Sequence, residues 1–285
     1  MLCLALCALL WGTAFTAQDT AADAMGSFTF LFCRSVLACM FLAGLIKVLD
    51  FSGHSNPHTG NRKLLLTGGM LTGVFLYAAS FFQQEGMAYT TAGKSGFITA
   101  CYIIIVPLLG LVKGHRPPAR LMVSVGLALA GMGCLCLNGS LTFNRGDLLT
   151  LVCAFLFSLQ IIAIDRYAPE VDPIRLALIQ FIVVTVLSGV SLGLTETIDI
   201  HVIRTCAIPI LYAGVVSNGM GYTLQIIGQQ GTDPSVASLL MSLESVFAAL
   251  SGWLILGQSM SSREIPGCAL MFTAIVIVRL PAKKA

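Results

Sequence analysis

Residues 232–257 read TDPSVASLLMSLESVFAALSGWLILG and are mostly apolar. A run of more than about 18 apolar residues is long enough to cross a membrane as a helix. One carboxylate, Glu244, lies near its middle, where burying a charge costs at least about 2.5 kcal/mol, so it is a candidate for function. Small residues recur every three or four positions on one face, which lets another helix approach closely. These are Ser238, Ser242, Ser245, Ala249 and Gly252.

The composition of the whole chain is that of an integral membrane protein. Hydrophobic residues make up 56% of the 285 positions and charged residues 10%, with a mean hydropathy of +0.89; soluble domains carry roughly 25% charged residues. The net charge of +3 does not indicate a nucleic-acid partner. In a membrane protein, the positions of the basic residues are more informative than their sum. Ten cysteines are scattered through apolar segments without the context of a metal site, and they are expected to be small buried side chains.

Ten apolar segments follow one another with short connections. Their lengths, with help from their flanks, suit helices that cross a bilayer. The chain is therefore expected to form one compact, all-helical membrane domain with ten transmembrane helices. The segments are residues 2–15, 28–48, 64–82, 96–112, 121–137, 148–164, 174–194, 206–227, 235–256 and 265–278.

Lysine and arginine are distributed unevenly between the two sides that ten crossings create. With a cytoplasmic N-terminus, eleven fall inside, four fall outside and Arg34 lies within a helix. Because basic residues favour the cytoplasmic side, both termini are predicted to be cytoplasmic, in a multi-pass protein of the cell (inner) membrane. The inside residues are Lys47, Arg62, Lys63, Lys113, Arg116, Arg120, Arg166, Arg175, Arg279, Lys283 and Lys284, and the outside ones Lys94, Arg145, Arg204 and Arg263.

The two halves of the chain repeat one another. An offset of 146 places Cys7 on Cys153, and from the third helix onward an offset of 141 places Gln84 on Gln225. Five helices per half is an odd number, so the second half enters the membrane from the opposite side. That is the inverted-repeat arrangement of secondary transporters, in which the substrate site lies between the halves. The predicted units are residues 1–138 and 147–280.

Three motifs carry a resemblance to a known family. They are WGTAFTAQDTAADAMGSFTFLFCRSVLACMFLAGL at residues 11–45, YAASFFQQEGMAYTTAGKSGFITACYIIIVPLLGL at 77–111 and TDPSVASLLMSLESVFAALSGWLILGQSMS at 232–261. Together they resemble the EamA-type permeases of the drug/metabolite transporter superfamily, over nearly the whole chain. The family usually has proline just after the mid-helix glutamate. This chain has Ser245 there, which leaves the expected kink open.

The resemblance implies a basket of ten helices around a central cavity. Helices one to four and six to nine would line the cavity, and helices five and ten would be peripheral. Either Gln83 or Gln84 would come from the third helix. The implied substrate-binding residues are Trp11, Arg34, Tyr77, Gln84, Tyr102, Gln160, Gln180, Asn218, Tyr222, Gln225 and Glu244, with Glu244 also a candidate for proton coupling.

Each of these residues has a structural alternative. Glu244 fits equally a carboxylate hydrogen-bonded to a neighbouring helix. Arg34 lies about six residues into its helix, so its side chain could instead extend to the membrane surface. The aromatic residues could belong to an interfacial belt or to helix packing. The glutamines and Asn218 could be ordinary interhelical hydrogen-bond partners, worth about 0.6 kcal/mol each.

Enzyme motifs are absent from the sequence. All four histidines fall in predicted loops, and no Walker-type glycine loop occurs. No catalytic residue, cofactor or metal is therefore predicted, and an intramembrane enzyme has no feature in its support. The histidines are His54, His58, His115 and His201.

The combined prediction is a secondary transporter of small organic solutes such as amino acids, amines, other metabolites or drugs. It would work by alternating access and, as the resemblance implies, most readily as an exporter. Glu244 would bind a cationic or zwitterionic solute or carry a coupling proton. An importer on the same scaffold and a passive channel are the alternatives. The solute, a proton or sodium as coupling ion, and a monomeric or homodimeric state are left open.

Overall fold

The computed structural model describes residues 1–22, 24–53, 61–90, 92–112, 114, 117–136, 144–256 and 263–279. Side chains are described throughout these ranges except at residues 15–22, 92, 93, 136, 252, 255, 256 and 279. The histidines His54, His58 and His115 and the basic residues Lys113, Arg116, Lys283 and Lys284 lie outside the described residues. His201 is exposed at the start of a short helix.

Helices account for almost all of the described chain. The predicted segments fall on single helices or on consecutive helices, and the fourth, eighth and ninth segments are interrupted. The helices are α1 (Leu2–Ala22), α2 (Ser27–Phe51), α3 (Arg62–Met87), α4 (Ala92–Thr99), α5 (Tyr102–Val112), α6 (Ala119–Cys136), α7 (Arg145–Tyr167), α8 (Pro173–Thr195), α9 (Ile200–Thr205), α10 (Ala207–Leu211), α11 (Tyr222–Gln229), α12 (Pro234–Met241), α13 (Glu244–Leu256) and α14 (Glu264–Arg279). A π-helical segment, Tyr212–Gly221, joins α10 to α11, and a 3₁₀ turn spans Ala168–Glu170.

Many helices of this bundle have the length and apolar composition of membrane-spanning helices. Within the described part of the chain, six helical stretches are long and apolar enough to cross a membrane, and three shorter helices are also apolar. The protein is thus an all-helical, multi-pass membrane protein, and the number of ten crossings stays a prediction. The six stretches are Ser27–Phe51, Arg62–Met87, Lys94–Val112, Arg145–Glu170, Pro173–Thr195 and Pro234–Ser251.

Helices from the two halves pack against one another in a repeated pattern. Helix α3 lies along α7, and its repeat equivalent, the π segment with α11, lies along α1. Two other pairs join equivalent helices directly, α2 with α8 and α6 with α14. This is the pattern expected when a pseudo-twofold axis relates the two halves.

Glycine contacts reproduce the same symmetry at the level of single residues. A Cβ atom on Gly73 of α3 would lie 2.7 Å from the carbonyl oxygen of Gln180 on α8. A Cβ on Gly214 of the π segment would lie 2.9 Å from the carbonyl oxygen of Arg34 on α2. The offsets of 141 and 146 relate Gly73 to Gly214 and Arg34 to Gln180. Only glycine lets these backbones approach so closely, and both halves use it at the same place.

Carboxylates join α2 to α8 at both ends of the bundle. We call the end where α1 begins the proximal end and the opposite end the distal end. At the distal end, Glu196 accepts hydrogen bonds from the backbone amide and the hydroxyl of Thr29, at 2.9 and 2.6 Å. At the proximal end, Arg175 donates to both oxygens of Asp50, at 2.8 and 2.9 Å. The offset of 146 relates Thr29 to Arg175 and Asp50 to Glu196, so the two contacts are symmetry equivalents.

Candidate functional site

Two interrupted helices face the middle of the bundle. Helix α4 ends at Thr99 and α5 begins at Tyr102, and α12 ends at Met241 and α13 begins at Glu244. Discontinuous helices of this kind place helix termini at the level of the substrate site in transporters. Glu244 itself lies in the first turn of α13. The positive end of the helix dipole therefore favours its negative charge.

The break before Glu244 forms without the proline that the family usually carries. The Ser242 hydroxyl donates to the carbonyl of Leu239 at 2.8 Å, and such side-chain bonds bend helices. The backbone amide of Leu243 bonds the carbonyl of Leu240, three residues back, at 3.3 Å. Opposite the break, a Cβ on Gly12 of α1 would lie 2.6 Å from the carbonyl oxygen of Glu244. The Ser242 hydrogen bond and the close approach of Gly12 thus accompany the break between α12 and α13.

The π-helical segment Tyr212–Gly221 contributes a third irregular element beside the same region. The indole nitrogen of Trp11 donates to the carbonyl of Ser217 at 3.1 Å. Trp11 also lies against Tyr222, with ring centroids 4.7 Å apart. Wide turns of π type are frequent at functional sites. This one places Ser217 and Asn218 next to the interrupted helices.

A cavity of about 60 Å³ lies among these elements, which is room for a few water molecules. A larger solute therefore requires the surrounding helices to move apart. The cavity is lined by Trp11, Arg34, Gln83, Thr99, Tyr102, Phe157, Gln160, Ile161, Ser217, Asn218, Tyr222, Gln225, Met241 and Glu244.

The structure brings most of the predicted site residues together at this cavity. Eight of the eleven line it, and from α3 the lining residue is Gln83 rather than Gln84. Tyr77 points elsewhere, with its hydroxyl hydrogen-bonded to the hydroxyl of Ser191 on α8. Gln180 is fully buried behind the wall and does not line the cavity. The geometry therefore does not support cavity positions for Tyr77, Gln84 and Gln180.

Charge and aromatic surface are combined in the cavity. Glu244 is 8% exposed and Arg34 is 7% exposed, so the arginine side chain is buried among the helices rather than extended to the surface. The guanidinium carbon of Arg34 lies 5.1 Å from the ring centroid of Phe30. Tyr102 and Tyr222 line the wall as well, and aromatic faces attract cations. A carboxylate near several aromatic rings is a suitable environment for an ammonium group.

Three glutamines from α7, α8 and α11 form a polar network at one side of the cavity. The Gln225 amide nitrogen donates to the Gln160 oxygen at 3.2 Å, and the Gln160 nitrogen donates to Gln225 at 3.5 Å. The Gln160 nitrogen also lies 3.3 Å from the oxygen of Gln180. Gln180 is thus linked to the cavity wall through Gln160. The interhelical role considered for these glutamines is what the geometry shows.

The hydroxyl group of Tyr102 lies in the wall of the cavity. It is buried and neither accepts nor donates a hydrogen bond among the described residues. Buried polar groups are almost always hydrogen-bonded, so such an atom is a candidate contact for a solute or for water.

Five lining residues were not predicted from the sequence: Thr99, Phe157, Ile161, Ser217 and Met241. A signal existed for Phe157, because the offset of 146 makes it the equivalent of Trp11. Thr99 and Met241 end the helices that precede the two breaks, and those breaks have no proline to mark them. Ser217 adjoins the predicted Asn218 within a π segment that periodicity does not reveal.

Histidine, cysteine, aspartate and glutamate side chains are possible ligands of a metal ion. No cluster of three or more of them within the described residues is placed to hold one.

Comparison with known proteins gives a consistent result along the whole chain. The model of the EamA-like transporter family matches residues 1–137 and 144–280. The chain belongs to the EamA-like transporter family. An uncharacterized transporter of Archaeoglobus fulgidus is 31% identical over 277 residues, which are 97% of this chain and 84% of that protein. A second uncharacterized transporter of the same organism is 25% identical over 265 residues, covering 90% of this chain and 89% of its own.

A solved crystal structure shares the fold of this EamA-like protein. It aligns over 98% of this chain and 95% of its own with a TM-score of 0.79, at 17% sequence identity. At that identity the likeness shows the fold alone. Membership of the family makes the protein a membrane transporter, which binds small molecules and resides in a lipid bilayer.

Proposed function

We propose that this EamA-family protein is a secondary transporter that exports small organic solutes bearing an ammonium group, either amines or zwitterions such as amino acids. The observation that carries the proposal is the burial of Glu244 in a cavity walled by Trp11, Tyr102 and Tyr222, between two interrupted helices. An intramembrane carboxylate is costly to maintain without a function. An ammonium group offsets that cost through its charge and its attraction to the rings.

The proposed mechanism is alternating access. The moving units are residues 1–138 and 147–280, which rock about the cavity and open it to one side at a time. Both termini are cytoplasmic, and the protein resides in the cell (inner) membrane. Glu244 exchanges the solute's ammonium group for a coupling proton, so solute and proton compete for one carboxylate. The repeated contacts between α2 and α8 support a common design of the two units.

A thermal-shift panel on the detergent-purified protein tests the solute class. Choline, putrescine, neutral amino acids, succinate and glucose are added at millimolar concentration. A solute that binds only the folded state raises the melting temperature by mass action. We expect amines or amino acids to stabilise the protein, and succinate and glucose to have no effect.

A matched pair of variants assigns the effect to the cavity. Glu244→Gln removes the negative charge in the cavity. Glu85→Gln removes a charge of the same kind at the distal end, where Ser27 donates to Glu85 at 3.3 Å. Stabilisation should vanish only in Glu244→Gln. Stabilisation by succinate alone would shift the anchor to Arg34 and overturn the proposed solute class.

A further inference from the structure

An ion pair ties the two halves together at the distal end. The Lys94 ammonium lies 2.5 Å from a carboxylate oxygen of Asp147, whose side chain is fully buried. Thr90 donates to the other oxygen at 3.0 Å. The backbone amide of Asn144 donates to the first oxygen at 2.8 Å. Lys94 and Thr90 belong to the first half and Asp147 to the second, so one carboxylate bridges the two units.

Further contacts beside this ion pair also join the two halves at the distal end. The Asn144 side chain donates to the carbonyl of Tyr89 at 3.0 Å, and the guanidinium of Arg145 lies 5.3 Å from the Tyr89 ring centroid. Asn144 and Asp147 also cap the start of α7 reciprocally. The turn between α3 and α4 is therefore fastened to the first turn of α7. Separating the halves at the distal end would have to break these bonds.

At the proximal end, the positions that the offsets relate to Thr90, Lys94 and Asp147 carry no charged side chain. The offsets relate Thr90 to Gly231, Lys94 to Ser235 and Asp147 to Met1, and none of these side chains carries a charge. Instead, Gly231 and Ser235 line a cavity of about 580 Å³. The charged contact of the distal end is therefore not repeated at the equivalent positions of the proximal end.

We propose that the Lys94–Asp147 pair is a latch that holds the distal end closed and shifts the access equilibrium toward the state open at the proximal end. The proposal rests on the alternating access proposed above. If the halves were fully symmetric, the two access states would be equal in free energy. A charged hydrogen bond present in only one state lowers the free energy of that state alone, and the populations shift accordingly.

Accessibility of a reporter cysteine measures this equilibrium without any solute. The ten native cysteines are replaced, and Ser217→Cys, which lines the central cavity, serves as the reporter. A membrane-impermeant maleimide is applied to oriented vesicles from either face. Thr195→Cys at the exposed distal end of α8 and Glu170→Cys at the exposed proximal turn identify the faces in separate samples.

Two substitutions at one position separate the charge from the bulk of the side chain. Lys94→Met keeps the length and loses the ammonium, whereas Lys94→Arg keeps the positive charge. We expect Lys94→Met to raise the ratio of distal to proximal labelling about tenfold, the effect of losing one charged hydrogen bond in one state. Lys94→Arg should label like the parent. Asp147→Asn, which keeps an oxygen to accept from Thr90, should shift the ratio in the same direction as Lys94→Met.

Arg175→Met is the matched control, because it breaks a second ion pair between the halves, the one with Asp50. That pair is exposed, so its contribution is small and its loss should leave the ratio unchanged. An unchanged ratio in both Lys94→Met and Asp147→Asn, with melting temperatures showing folded protein, would overturn the latch. Equal and rapid labelling from both faces in the parent would instead indicate a continuous pore and overturn alternating access itself.

Discussion

The Cys39 sulfur on α2 lies 3.6 Å from the Thr185 hydroxyl on α8, and the two residues are equivalent positions of the repeat, 146 residues apart. A residue can touch its own equivalent only close to the axis that relates the two halves. The pair therefore locates the pseudo-twofold axis between α2 and α8. The Thr29 and Arg175 contacts lie on either side of it, one toward each end.

Close helix packing at the symmetry-related glycines is testable by adding one methyl group. Gly73→Ala and Gly214→Ala should each destabilise the protein by about 1 to 3 kcal/mol, because the new Cβ would collide with a backbone carbonyl. Melting temperatures in detergent measure the effect. Gly44→Ala on α2 is the control, since a Cβ there meets nothing within 4 Å and alanine favours the helix. Equal losses at all three positions would contradict the packing argument.

Tyr102→Phe should separate stability from binding. Its hydroxyl has no partner among the described residues, so removing it should leave the melting temperature unchanged or raise it. If the hydroxyl contacts the solute, affinity should fall by about five- to tenfold, the value of one hydrogen bond. Titration of the thermal shift against solute concentration gives both quantities. A lower melting temperature with unchanged affinity would show that the hydroxyl is structural.

Trp11→Phe should lower stability more than it lowers solute affinity, the opposite of Tyr102→Phe. The phenyl ring keeps an aromatic wall but lacks the indole N–H that donates to the Ser217 carbonyl. Losing this bond to the π segment should cost about 1 kcal/mol of folding free energy. Solute affinity should fall less than in Glu244→Gln, because the charge remains. Full stability of Trp11→Phe together with a complete loss of binding would show that the indole N–H acts on the solute and not on the π segment.

Two residues of the glutamine network, Gln160 and Gln225, are expected to be energetically coupled. Gln160→Met and Gln225→Met should each reduce stability, and the double variant should cost less than the sum, with a coupling energy of about 0.6 kcal/mol. Melting temperatures of the four proteins form the cycle. Additive losses would mean that the two amides do not bond each other.

The sequence was sufficient for the helical membrane fold and for most of the cavity wall. Apolar segment lengths located the helices, and the lone carboxylate in an apolar run located Glu244. The resemblance supplied residues such as Tyr102 and Gln160 that periodicity could not select. The helix predictions are confirmed because membrane insertion leaves strong local patterns, and the binding roles of the lining residues stay predictions.

The sequence did not predict where the helix backbone is irregular, nor how each helix is rotated about its own axis. Gln83 and Gln84 differ by one position, and a rotation of about 100° per residue decides which one faces the cavity. Tyr77 was placed in the wall by resemblance, yet its hydroxyl bonds Ser191 across the interface with α8. The π segment and the serine-bonded break before Glu244 depend on tertiary contacts with Trp11 and Gly12. Such contacts have no periodic signature.

Solute counterflow in proteoliposomes shows whether the protein works by alternating access at Glu244. Vesicles are loaded with a high concentration of the amine or amino acid that best stabilises the protein, and uptake of the labelled solute is followed. We expect a transient accumulation above equilibrium in the parent and in Glu85→Gln, and none in Glu244→Gln. Uptake that only approaches equilibrium in the parent, or an accumulation unchanged by Glu244→Gln, would contradict alternating access at this carboxylate.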